Sequence, residues 1–292
     1  MSINKLQKRI RELKNPSLLD LSIDLERLPN HLLEQEHNEI LAYDRFCREL
    51  MDAMKDVVPA VRFNMGRFSL LGPDGMFMLM RMTAYAKDQG YYVLLDAPEA
   101  LSQQAADWSV KSFMSENCPW KFDALVISAY AGSDILKTYT KAIKGTDKDL
   151  FVVLRTANKS APELQDLLTG SRLVHMAAAD VLNRFCEPVA GQSGYGQIAA
   201  IGPATVSEVL KQLRNRYKGI FILVDGYDYS NANAKNCSYA FDRLGHGAIV
   251  CAGVAITCAW DANDGQGEDY IHHAVEAAER MKKNLTRYVT IL

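Results

Sequence analysis

The chain has 292 residues, 48% of them apolar, and its 33 Lys and Arg nearly balance 35 Asp and Glu for a formal charge of −2. That apolar share supports a large buried core, and an α/β barrel of roughly 250 residues fits the length as a single domain spanning 1–292. The charge balance excludes the basic stripe that a nucleic-acid surface needs to displace counterions from phosphates, so no nucleic-acid partner is expected.

The opening "MSINKLQKRIRELKN" is polar and basic with no apolar run behind it. It reads as an N-terminal helix over 1–16 and as neither a secretory signal nor a membrane anchor, so a cytoplasmic location with no membrane partner is expected. Eight apolar, strand-like runs follow: "SLLDLS" (17–22), "VVPAVRF" (57–63), "YYVLLD" (91–96), "DALVIS" (123–128), "DLFVVLR" (149–155), "IAAI" (198–201), "GIFILVD" (219–225) and "GAIVCAG" (247–253). Helical patterns separate them, such as Tyr43, Cys47, Leu50, Met54 and Val57, or "GMFMLMRMTAYAKDQ" stopped by Gly90. Eight β-then-α units predict a closed parallel TIM (β/α)8 barrel before an open sheet.

The loosest stretch, "CEPVAGQSGYGQ" (186–197), reads as a loop within the domain, and 262–292 as a C-terminal helix packing on the barrel. Met76, Met78, Met80 and Met82 read as core gap-fillers. Cys47, Cys118, Cys186, Cys237, Cys251 and Cys258 form no C-x-x-C pair and read as reduced thiols. Cys251 ends the eighth strand, yet no histidine is placed to activate it, so it too reads as a buried thiol.

Chemistry on such a barrel sits at the carboxyl ends of the strands. Those positions hold Ser22, Arg62, Asn64, Asp96, Ser128, Arg155 to Asn158, Asp225 to Asp228, and Cys251 to Val254.

Several segments resemble the orotidine 5′-phosphate decarboxylase family, specifically its longer bacterial subgroup. "NKLQKRIRELKNPSLLDLSIDLERLP" is similar to the subgroup's first helix and strand, and "VVPAVRFNMGRFSLLGPDG" to its second strand and loop. "ISAYAGSD" resembles V-N-P-Y-x-G-x-D, "FVVLRTANKSAPELQDL" resembles F-V-L-V-K-T-S-N…Q-D-L, and "GYGQIAAIGPAT" resembles G-Y-S-S-V-G-A-V-V-G-A-T. "HGAIVCAGVAITCAW" stands where the family has G-x-G-A-I-V-N-S-S-R-G-I-I-Y-A, and the likeness runs from about residue 4 to 285.

The resemblance implies a cofactor-free decarboxylase ancestry and also where it fails. The family's D-x-K-x-x-D motif begins at Asp96, but its lysine position is Pro98 and its second aspartate position is Leu101. The second-strand lysine corresponds to Arg62, whose guanidinium cannot give up a proton in turnover, and the ribose-contacting aspartate corresponds to Ser22. The glycine-rich phosphate loop reads "GYDYSNA" (226–232), with Asp228 facing an anion site, and the phosphate arginine corresponds to Val254. Ser22, Arg62, Asn64, Asp96, Ser128, Thr156, Asn158, Asp228 and Val254 are the ligand-site candidates, none with an evident reactive centre. Ser128, Thr156 and Asn158 equally suit loops whose backbone groups need partners.

Three functions stay open on these residues. One is a barrel without decarboxylase activity, serving as a binding, regulatory or assembly subunit. Another is a different, metal-assisted enzyme using Asp96, Glu99, Asp225 and Asp228, with His246 the nearest histidine. The third is a decarboxylase with rewired residues. The family's dimeric habit implies a homodimer, or association with an intact relative, with Leu101 at the contact.

Overall fold

Each of the eight apolar runs becomes a strand, because a parallel strand covered by helices on one side and packed interior on the other is apolar on both faces. The barrel strands of the computed structural model are β1 (Ser17–Asp20), β2 (Ala60–Asn64), β3 (Tyr92–Asp96), β4 (Ala124–Ser128), β5 (Asp149–Val153), β6 (Ile198–Pro203), β7 (Phe221–Asp225) and β8 (Ala248–Ala252). All pair in parallel, and β1 pairs with both β2 and β8, closing the sheet into one barrel. The structure describes residues 2–186, 193–263 and 267–292. Residues 187–192 of the expected loop, and 264–266 of the expected C-terminal segment, lie outside them.

The barrel interior is filled by side chains from alternate strands, as closure at this strand number requires. Tyr92 of β3, Phe151 of β5 and Phe221 of β7 meet edge to face at 6.4 and 6.2 Å between centroids, and Tyr195 adds a further edge contact with Phe221 at 5.9 Å.

The helices form where an apolar stripe recurs at helical spacing. Helix Glu39–Met54 starts at Asn38, whose side chain accepts from the Ile40 and Leu41 N–H groups, and it buries Tyr43, Phe46, Cys47, Leu50, Met51 and Met54. Val57 falls beyond its end. Helix Gly72–Asp88 stops just before Gly90, which takes φ of +85° where most side chains would be strained. Helix Ser2–Leu13 buries Ile3, Leu6 and Ile10, and Gln7 accepts the Gly247 N–H at 2.9 Å just before β8 begins. Helix Tyr270–Thr286 packs back through Tyr270, which stacks on Phe46 and donates to Glu49.

The methionine expectation holds for half the set. Met78 and Met82 are fully buried, whereas Met76 and Met80 line a cleft of about 330 Å³ with Pro73, Phe77, Pro119 and Trp120. On a 3.6-residue period, positions two apart point to different faces, so four methionines at alternate positions cannot all reach the core.

Candidate functional site

Residues two apart in a strand share a face, so Arg62 and Asn64 both leave β2 toward the barrel mouth while Phe63 turns into the core. Register then supplies their partners. Asp20 of β1 lies opposite Arg62, and Asp96 of β3 lies opposite Asn64. The Arg62 guanidinium reaches Asp96 Oδ2 at 2.5 Å, Asp225 Oδ1 at 3.2 Å and Asp20 Oδ2 at 3.7 Å, with Cys251 Sγ at 3.9 Å. Asn64 Nδ2 donates to the same Asp96 oxygen at 3.0 Å, and the Asn64 N–H donates to Ser22 Oγ at 2.7 Å.

One cation therefore sits among three carboxylates. Burial by itself disfavours the guanidinium charge, but Asp225, Asp20, Cys251 and Asp96 together hold Arg62 well above the usual arginine range. Burial raises the Asp20 carboxyl to about 6 against the pull of Arg62 and of hydrogen bonds from Ser22. Burial also pushes the Cys251 thiol well above its ordinary value, with Asp225 and Asp20 adding to the effect. An unionised thiol beside acidic neighbours is not a nucleophile.

The second feature of the mouth is Asp228. Gly226, at φ of +84°, turns the chain beyond β7 where an added Cβ would stand 2.4 Å from Ala157. The turn brings the Asp228 carboxylate to the end of β8, where it accepts the Gly253 N–H at 2.9 Å and the Ala255 N–H at 2.7 Å. These donors flank the start of the short helix Val254–Thr257. A side-chain anion thus occupies amides that would otherwise face solvent or a ligand.

The remaining candidates are satisfied within their own loops. Ser128 Oγ accepts the Tyr130 N–H at 3.2 Å. Thr156 donates to Asn158 Oδ1 at 2.5 Å, its N–H donates to Gln165 at 2.8 Å, and Asn158 donates to Ser160. Arg155 is buried and pairs with Asp166 at 2.9 Å, which also meets His175 at 3.0 Å. Pro98 and Glu99 are exposed beyond β3, and Leu101 is 76% exposed. Val254 is 37% exposed and carries no polar group toward the mouth.

The acid that ends the first strand and faces Arg62 is Asp20, while Ser22, two residues beyond it, supports the Asn64 backbone. The local signal for Asp20 is "SLLD", where an acid closes an apolar run. The carboxylates Asp96, Asp225 and Asp228 do not converge on a cation site. Asp96 and Asp225 face Arg62, Asp228 faces backbone N–H groups, and no group of three or more His, Cys, Asp or Glu suited to a metal ion occurs among the described residues. His246, whose Nε2 lies 2.9 Å from the Leu292 carbonyl, precedes β8 at the opposite end of the barrel from the mouth.

No protein-family model matches the chain. Among curated proteins, the orotidine 5′-phosphate decarboxylase of Rhodopirellula baltica is 29% identical over 235 residues, covering 77% of this chain and 78% of that protein. The Petrotoga mobilis orotidine 5′-phosphate decarboxylase is 28% identical, covering 94% and 96%. The chain is thus similar over most of its length to proteins named orotidine 5′-phosphate decarboxylase. In fold, this decarboxylase-like barrel is similar to the Plasmodium berghei orotidine 5′-monophosphate decarboxylase, with a TM-score of 0.74 at 15% identity over 97% of this chain and 98% of that one. Among the described residues of the decarboxylase-like chain, no helix is long and apolar enough to cross a membrane.

Proposed function

We propose that this decarboxylase-like barrel does not decarboxylate, and that it acts as a binding or assembly subunit. The observation that carries the reading is the Asp228 carboxylate on the Gly253 and Ala255 N–H groups. At the place where the resemblance puts a substrate phosphate, the chain supplies its own anion, and a phosphate dianion entering there meets a like charge.

The cationic side of the site supports the same reading. Arg62 is committed to Asp96 and Asp225 and stays charged, so it can hold charge but cannot deliver a proton. The loop after β3 offers Pro98 and Leu101 where the resemblance expects an acid and its partner. Losing several members of a catalytic unit removes nearly all of its rate enhancement, and losing the phosphate grip removes binding energy that would be used in the transition state.

Assembly is through like chains or an intact decarboxylase relative, with Leu101, exposed beyond β3 in the isolated chain, at the contact. The test is the purified protein incubated with orotidine 5′-phosphate and followed by ultraviolet absorbance, alongside rescue of a uracil auxotroph. Neither decarboxylation above background nor growth is expected. Turnover by the purified chain overturns the reading.

A further inference from the structure

Away from the barrel mouth, the hairpin formed by Leu168–Thr169 and Arg172–Leu173 stands off from helix Ser207–Arg216 and leaves a cleft of about 620 Å³ between them. That volume lies in the range of small-molecule sites. Its charged lining is Arg172, Lys211 and Arg216 against Glu208, a local positive excess in a chain whose formal charge is −2. Its apolar lining is Leu168, Leu173 and Met176.

The two guanidiniums are held in place from behind. Arg172 pairs with one oxygen of Asp180, and Arg216 lies 2.7 Å from the other, which also accepts from the Tyr217 hydroxyl at 2.5 Å. A single carboxylate therefore fixes the spacing of two cations that arise from different elements. Each guanidinium carries five N–H donors and spends one nitrogen on Asp180, leaving the rest of each fork for another acceptor. Both arginines are about half exposed, so that acceptor can arrive from solution. Lys211 is less available, since it lies over the Tyr239 ring at 4.3 Å and near Glu208 at 3.7 Å. Beside this cationic pair, Leu168 is 74% exposed at the lip while Met176 is buried at the floor, where its flexible thioether can follow the shape of an apolar group.

We propose that this cleft is a binding site for a small organic anion with an apolar body, the acid group taken by Arg172 and Arg216 and the body laid on Leu168, Leu173 and Met176. The site is separate from the barrel mouth, and neither Arg62 nor Asp228 belongs to it.

The test is a fluorescence titration of the full chain with anilinonaphthalene sulfonate, which carries both features, at low and high salt. Saturable binding is expected, weakened by salt and about tenfold weaker in Arg172→Gln/Arg216→Gln, the loss of two partly exposed charge-assisted contacts. Leu168→Ser, at a position too exposed to affect folding, is expected to weaken it about threefold through lost apolar contact. Equal binding by the wild type and the double variant overturns the proposal. So does binding that ignores salt and is lost on Phe77→Ser, because the dye would then sit in the uncharged cleft beside Met76 and Met80. A double variant with an unchanged circular dichroism spectrum and melting curve keeps the comparison valid, and Leu168→Ser supplies a second reading if it unfolds.

Discussion

Arg62 Nη2 lies 2.5 Å from Asp96 Oδ2, so the basic residue of β2 and the acid ending β3 neutralise each other at the barrel mouth. The pair ties two neighbouring strand ends together, and Asp225 extends the tie across the barrel to β7.

Removing the cation should therefore be costly. Arg62→Ala leaves Asp20, Asp96 and Asp225 without their counter-charge in a partly buried site, and a loss of about 2–3 kcal/mol is expected in urea unfolding at neutral pH. Arg62→Lys keeps the charge and loses the fork, so about 1 kcal/mol is expected. A wild-type midpoint for Arg62→Ala would show that the network is solvated and without structural weight.

Asp20 sets a pH dependence of defined sign. Its folded carboxyl titrates at about 6, above its ordinary 3.8, so between those values the folded state holds a proton that the unfolded chain has released. Its stabilising contribution is complete below pH 4 and is lost as pH rises to about 6, with an upper limit of about 3 kcal/mol at 1.36 kcal/mol per unit. Asp20→Asn removes this component, so its stability relative to wild type should rise between pH 4 and pH 6. An unchanged difference across that interval would refute the assignment.

Asp228 should be worth a helix cap and a closed anion site. Asp228→Ala frees the Gly253 and Ala255 N–H groups, and a stability loss of about 1 kcal/mol is expected. The same variant should gain affinity for inorganic phosphate in calorimetry, whereas wild type shows none at that site. Pro98→Lys should leave decarboxylation at background, because Leu101 and Val254 are unchanged.

The assembly reading is checked by mass in solution. A dimer by light scattering is expected, with Leu101→Asp shifting the chain toward monomer while its melting temperature stays within a degree or two, since the side chain is 76% exposed in the isolated chain. A monomeric wild type with no co-purifying relative would remove the contact assigned to Leu101.

The eight strands, the helices between them and the placing of Arg62, Asn64, Asp96 and Asp225 at strand ends were legible in the sequence, because periodicity and strand termini are local properties of the chain. The cluster around Arg62 was legible only in part. Asp20 meets Arg62 through the β1–β2 register, and that register is set by how all eight strands close, not by either segment alone.

Loop outcomes were the least visible. "GYDYSNA" shows a carboxylate near a glycine, but only the positive φ at Gly226 and the approach of β8 decide that Asp228 caps the Gly253 and Ala255 N–H groups. The cationic cleft has the same origin, since Arg172 and Arg216 lie 44 positions apart and share Asp180 only after the hairpin and the helix pack. The sequence by itself determined the barrel and the residue types at its mouth. Tertiary structure decided which charges those residues neutralise and which they leave open, because pairing across strands and loops depends on distances that no local pattern encodes.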